Sequence, residues 1–315
     1  MAYNVGKPQS WASYPSDPPF VHSKDPVTQK TAQTSVTSIY QTHIAGYWRN
    51  VTVTWGKNAM NYSLGITVDS VDQNNIVYTC KIDIKPWHFW AKKGYKCLEV
   101  DGSQLEAYWD LKSAKFLGSP EPVSDYYVAL VADNEVVLLL GDNKKKAYKR
   151  TKARPPLAEP VIFYKKENVF GKKSFSTRAR FDQRKRDHDI VVESATTGGK
   201  DPEMWISIDG IILVHIQNLQ WKFRGNQTVM VNKHPVEVFW DVHAWLFCAP
   251  GTHHGLFIFK SSCELEGNDD ENDSSLSESL CDGSECSGNS RYFSVDGHAK
   301  AGVEFCLFLY AWKIE

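Results

Sequence analysis

Apolar side chains recur at every second residue through most of this chain, and that period admits strands and disfavours helices as the main element. Leu64, Ile66 and Val68 alternate with polar neighbours, and Ile76, Tyr78, Cys80, Ile82 and Ile84 repeat the pattern over a longer run. The same alternation predicts strands at 95–100, 104–111, 125–131, 135–140, 174–181, 204–208, 211–216, 227–231, 235–242 and 255–260. Turn chemistry separates them, as at Asp101-Gly102-Ser103 and Asp209-Gly210. No long stretch holds a 3.6-residue period. The expectation is an all-β fold of antiparallel strands with short connections, a sandwich or a barrel-like arrangement.

The chain writes part of this pattern twice. Residues 90–116, WAKKGYKCLEVDGSQLEAYWDLKSAKF, and 221–247, WKFRGNQTVMVNKHPVEVFWDVHAWLF, align without a gap. They share Trp, Lys/Arg-Gly, Val, Glu, aromatic-Trp-Asp and Phe at identical spacings. Upstream, LGITVD (64–69) matches WISIDG (205–210); downstream, DYYVALV (125–131) matches GLFIFK (255–260). Two tandem related β-modules of roughly 80–100 residues each account for this. Alternation turns Trp109 and Trp240 into the core, and places Asp110 and Asp241 on the opposite face near a strand end, where they can accept hydrogen bonds from turn amides. Trp90 and Trp221, just ahead of Gly94 and Gly225, read as turn residues covering a sheet end or as exposed platforms for a sugar ring or a base. In VEFCLFLYAWK (303–313), Phe305, Leu307 and Leu309 alternate inward and predict a last strand beside 255–260.

Charge is distributed in opposed blocks although the chain as a whole carries a net −1. From Lys144 to Arg186 there are 16 Lys and Arg against three acids, interleaved with Tyr148, Phe163, Tyr164, Phe170, Phe175 and Phe181. The candidate binding residues are Lys144, Lys145, Lys146, Lys149, Arg150, Lys152, Arg154, Lys172, Lys173, Arg178 and Arg180. They would form a strip for an anionic macromolecule or membrane surface: acidic lipid, RNA or an acidic protein. A solvated linker with a charged strand face explains the same composition, and a nuclear-import signal is a third use. Between Glu264 and Glu285 stand nine acids and no Lys or Arg, so this segment is expected to be disordered and to serve as an electrostatic cover for the basic strip or as a solubilising loop.

Catalysis finds less support. Asp241, His243, His253 and His254 could approach a metal or a hydrolytic site, but Lys112 stands where the other copy has His243, and no nucleophile elbow, phosphate-binding Gly loop or HExxH occurs. No catalytic residue, metal ligand or cofactor is assigned, and the leaning is towards a non-enzymatic binding or adaptor protein. The alternative is a carbohydrate- or small-ligand-binding or -processing β-protein using Glu106, Tyr108, Asp110, Glu237, Asp241 and His243.

With 42% hydrophobic residues in 315, the chain can bury its own core without metals or disulfides. Seven cysteines without a CxxC or a regular framework fit reduced thiols, the N-terminus lacks the basic and apolar regions of a signal peptide, and no apolar run reaches the ~20 residues of a membrane span. A cytoplasmic or nuclear location, or both, is the expectation.

SIYQTHIAGYWRNVTVTWGKN, IDIKPWHFWAKKGYK, SPEPVSDYYVALV, NVFGKKSFSTRARF and LQWKFRGNQT followed by VEVFWDVHAWLF together resemble the plant family catalogued as domain of unknown function 868. That resemblance implies a plant protein and carries over no activity, cofactor or catalytic residue. The expected layout is a disordered N-terminal segment (1–38), a first β-module (39–141), a basic connecting segment that includes a strand (142–186), a second β-module (187–260 with 301–315) and an acidic disordered insertion (261–300).

Overall fold

The computed structural model describes residues 34–58, 61–70, 77–84, 92–181, 187–195, 201–261 and 304–314, within the unit Ala32–Glu315. The N-terminal segment before Thr34, Trp90 and the acidic segment 262–303 lie outside the described residues.

The first module is two antiparallel meanders. One is β1 (Thr34–Ile44), β2 (Tyr47–Lys57), β3 (Tyr62–Asp69) and β4 (Val77–Ile84); the other is β5 (Lys93–Val100), β6 (Ser103–Asp110), β7 (Tyr127–Ala132) and β8 (Glu135–Leu140). A short helix α1 (Lys144–Thr151) and the long strand β9 (Val161–Gly171) follow. The second module repeats the plan with β10 (Ser174–Ala179), β11 (His188–Ala195), β12 (Glu203–Ile208) and β13 (Ile211–Ile216), then β14 (Arg224–Val231), β15 (His234–Asp241), a helical turn α2 (His243–Phe247), β16 (His254–Ser261) and β17 (Phe305–Lys313). The sequence repeat equates β3 with β12, and β5, β6 and β7 with β14, β15 and β16. The fourth member of the last meander is β17, antiparallel to β16 with Ser261 opposite Phe305, and Phe305, Leu307 and Leu309 are buried.

The two modules are not separate beads. Strands run β14-β15-β16-β17-β9-β1-β2-β3-β4 in one nine-stranded sheet, while β10–β13 and β5–β8 form two four-stranded sheets. Layered sandwiches, not a closed barrel, are the result. On β9, Glu167 is directly opposite both Val36 of β1 and Leu309 of β17. Directly opposed residues share a face, and Val36 belongs to the core under β5–β8, Leu309 to the core under β10–β13. Both small sheets therefore pack on the same face of the large one. Trp55, Leu64, Ile66, Leu105 and Leu130 fill the first core; Phe175, Ile190, Met204, Phe257 and Phe259 fill the second. Each such side chain contributes roughly 1.5–3 kcal/mol of burial.

Two boundaries differ from expectation. Residues 34–38 belong to β1, with Val36 and Ser38 buried, because β2 and β9 pair with this segment on its two sides and Thr is a good strand residue. The expected connecting segment holds a helix and two strands, and its β10 is the first strand of the second module, which opens at Ser174 instead of 187.

The repeated Gly and Trp explain each other. Gly94 is paired with Trp109 across β5–β6 and Gly225 with Trp240 across β14–β15. In both pairs the indole lies so close over the glycine that an added Cβ would collide with the ring. Gly94→Ala should cost about 1–3 kcal/mol in chemical denaturation. Gly65→Ala, whose new methyl would meet nothing nearer than 3.8 Å, should be tolerated. Equal effects would contradict the ring-over-glycine account.

Between the two cores, β9 turns charge inward. Lys165 Nζ donates to the Arg178 carbonyl of β10 at 2.9 Å and lies 3.3 Å from Glu121 Oε2, on the loop between β6 and β7. It is 3.9 Å from Glu167 Oε2, which accepts from the Thr177 hydroxyl. Burial alone would lower the Lys165 pKa, but Glu121 and Glu167 outweigh it and hold it above the ordinary lysine value. Burial pushes the Glu167 carboxyl up, offset in part by Lys165 and Thr177. Lys165→Met strands two carboxylates and should destabilise by about 3–5 kcal/mol. A folded-state pKa above the unfolded one means Lys165 stabilises fully below the unfolded value and ceases to as pH rises through the folded one. The stability gap between wild type and the variant should accordingly narrow in alkaline solution; a gap independent of pH would contradict this.

Candidate anion-binding surface

α1 is an eight-residue helix written KKKAYKRT. Such a sequence is too short and too charged to be stable alone, and what holds it is a small apolar contact. Ala147 is buried and Tyr148 packs on the outer side of the β5–β8 sheet, against a cluster of Tyr127, Ala129, Val131, Val136 and Ala153. The other positions face water: Lys144, Lys145, Lys146, Lys149, Arg150 and Lys152 are exposed, and among the described residues none makes an ion pair.

Half of these charges stand where helix electrostatics disfavours them, while Lys149 and Arg150 in the last turn sit at the favourable end. The first turn holds Lys144, Lys145 and Lys146, no acid, and an Asn143 N-cap without a side-chain hydrogen bond. Cations beside the positive end of a helix cost roughly 0.3–1 kcal/mol each at low ionic strength, and a bound anion would reverse that cost. The C-cap is Lys152 at φ 57, a left-handed conformation that glycine adopts freely, with its N–H donating to Tyr148 O.

The remaining candidates separate into two groups. Lys172 and Lys173 are exposed in the turn between β9 and β10. Arg178 and Arg180 on the β10 side are answered by acids of the neighbouring segment, Asp189 at 2.8 Å and Asp187 at 2.9 Å. Arg154 pairs with Glu135 at 3.0 Å and its backbone bridges β8. Three of the eleven cations thus have carboxylate partners, two of which lie just beyond the basic stretch of sequence.

Strand direction decides which of the cations share a surface. Tyr126, just before β7, meets Trp55 near the end of β2 with ring centroids 5.9 Å apart, and Phe116 meets Tyr62 at the start of β3 at 4.3 Å. At the opposite end of these strands the Thr42 hydroxyl donates to Val137 O at 2.6 Å. The end of β8, where α1 begins, therefore lies at the same end of the molecule as the end of β9. Lys144–Lys146 and Lys172–Lys173 occupy that end, and Lys152 and Arg154 lie towards the other.

The residues of the alternative reading do not converge. Glu106, Tyr108 and Asp110 lie on the outer face of a four-stranded sheet, Glu237 and Asp241 on the outer face of the nine-stranded one. The Tyr108 hydroxyl donates to Glu106 at 2.9 Å, and burial with that carboxylate pushes its pKa up to about 12. Asp110 and Asp241 have matching structural jobs. Asp110 pairs with Lys93 at 2.9 Å and accepts from the Lys112 amide; Asp241 pairs with Arg224 at 2.8 Å and accepts from the His243 amide. His243 packs on Phe223 and Phe247, and His254 on Tyr310 and Trp312. Among the described residues no group of three His, Cys, Asp or Glu is placed to hold a metal, and no helix is long and apolar enough to cross a membrane. Trp221 covers no sheet end: it stands 80% exposed in the turn after Asn218.

Fold and surface define an all-β protein of two duplicated sandwiches sharing one sheet, with a basic helix on one flank. The chain belongs to the family described as "Plant protein of unknown function (DUF868)", which it matches over residues 31–313. No curated protein and no solved structure matches it.

Lys152→Gly should raise folding stability by about 1 kcal/mol by relieving the left-handed lysine, measured by chemical denaturation. A loss of stability would mean that the Lys152 side chain holds α1 in place.

Proposed function

We propose that this is a non-enzymatic binding or adaptor protein that docks an anionic partner through the α1 lysines and the β9–β10 turn. The observation that carries the reading is the α1 surface itself: six cations exposed and unpaired among the described residues, three of them, Lys144, Lys145 and Lys146, placed against the helix dipole. Structure for its own sake gives no reason to keep three lysines in a first turn. An anion there would gain from the lysine charges and the helix end together. Cytoplasmic or nuclear residence goes with the proposal, since the same cluster reads as an import signal.

Changing Lys144, Lys145, Lys146, Lys149 and Arg150 together to Glu tests it, because all five side chains point to solvent and the fold should survive. Capture from plant tissue with wild type and variant should show a partner lost by the variant. Its retention should weaken as salt rises through ~150 mM, where exposed charges are screened beyond about 8 Å. An identical set of partners for both proteins would contradict the proposal.

A further inference from the structure

We propose that the end of the molecule carrying Lys144–Lys146 and Lys172–Lys173 is a lipid-facing surface that seats on an anionic bilayer, with apolar loop tips entering the interface between the lysines. The proposal rests on the anion-docking reading above and names its partner.

Four large apolar side chains project from four separate connections at this end: Leu117 at 72% exposure, Trp221 at 80%, Phe247 of α2 at 57% and Ile314 at 45%. Backbone hydrogen bonds tie those loops to one another. The Val242 amide donates to Phe223 O at 2.9 Å, Gly251 to Lys313 O at 2.9 Å, and Ile314 to Gly171 O at 3.0 Å, directly before Lys172. Leu117 follows Phe116, whose ring rests on Tyr62 at the same end. Phe247 is braced by Phe223 and His243, at 5.9 and 4.7 Å between ring centroids, so its outward position is built. Among the described residues the Trp221 indole stacks on no other ring.

Exposure alone does not pick this end. The opposite end shows Tyr47, Trp48 and Met230 at 57%, 55% and 58%, but there they share the surface with Asp69 and Asp133, which an anionic membrane would repel, whereas at the proposed end Asp110, Asp125 and Asp241 are each held by a cation, Lys93, Lys115 and Arg224. At the proposed end cations lie close to the apolar tips: Lys222 after Trp221 and next to Phe223, which braces Phe247, and Lys172 and Lys173 beside Ile314, while Lys115 before Leu117 is paired with Asp125 at 2.8 Å. Indoles favour the headgroup region and lysines the anionic lipid surface. Leu117 and Ile314, which have no flat face for a base, fit hydrocarbon and not a polynucleotide, and four tips spread over separate loops suit a plane better than a peptide groove.

The test uses the full chain and vesicles of phosphatidylcholine alone or with roughly one-third phosphatidylserine. One variant changes Leu117, Trp221, Phe247 and Ile314 to Ser; another changes Lys172 and Lys173 to Glu. Wild type should sediment with the phosphatidylserine vesicles and not with phosphatidylcholine alone. The Ser variant should bind them roughly tenfold more weakly or worse, since interfacial affinity scales with buried apolar area. It should keep its circular dichroism and any binding to a single-stranded RNA probe. The Glu variant should lose vesicles and RNA alike. Fluorescence lost on replacing Trp221→Phe should be the part quenched by brominated lipid. Unchanged vesicle binding by the Ser variant, no quenching of Trp221, or binding of RNA but not vesicles would overturn the lipid proposal alone. Binding of neither RNA nor vesicles by wild type would overturn the anion-docking reading with it.

Discussion

Lys165 is the interaction on which this architecture turns. It lies on the strand that joins the two duplicated modules, and its ammonium is shared between the Glu121 carboxylate of one and the Arg178 carbonyl of the other. β9 runs antiparallel to β1 and parallel to β17, completing a sheet neither module could close alone. A charged pair in that valley is more selective than an apolar one. Leaving Lys165 buried without Glu121 and Glu167, or Glu167 without Thr177, would be costly, so the registry that brings these groups together is favoured over neighbouring offsets. The arrangement that results fixes which loops share an end.

The duplication was used asymmetrically. In each module the last strand of the second meander needs something on its outer edge, since an open edge invites pairing with other chains. β17 receives the whole of β9 in parallel. β8 receives a single parallel bridge, with Arg154 opposite Glu135 and backbone hydrogen bonds of 2.9 Å on both sides. α1 is the excursion the chain makes between β8 and that bridge. The basic helix is therefore a product of how the first module caps its edge, laid over a patch of Tyr127, Ala129 and Val131 that the β5–β8 sheet would otherwise expose.

Much of this was legible in the sequence where side chains obey alternation. β3, β4, β12, β13 and the paired β5–β7 and β14–β16 runs follow it, and β17 could be placed beside β16 because Phe305, Leu307 and Leu309 repeat at two. β9 was hidden because it breaks the rule, burying Lys165 and Glu167 on the face that elsewhere is apolar. β1 was hidden by its Ser and Thr, and α1 by its length: eight residues anchored by Ala147 and Tyr148 leave no 3.6-residue signal. Part of the basic strip is neutralised in the fold, because Asp189 on β11 and Asp187 just before it pair with Arg178 and Arg180. Trp221, Phe247, Leu117 and Ile314 could not be grouped at all until strand directions showed that their loops share an end.

That shared end is the proposed working surface of the protein, and the β9 joint is the reason distant segments meet there. Amide hydrogen exchange by mass spectrometry, with and without phosphatidylserine vesicles, examines this most directly. Slowed exchange should appear together in 112–118, 143–148, 171–174, 218–224 and 243–251, while the Asp101 and Asn232 turns at the other end exchange as in the free protein. Protection confined to α1, or appearing at both ends alike, would contradict the account.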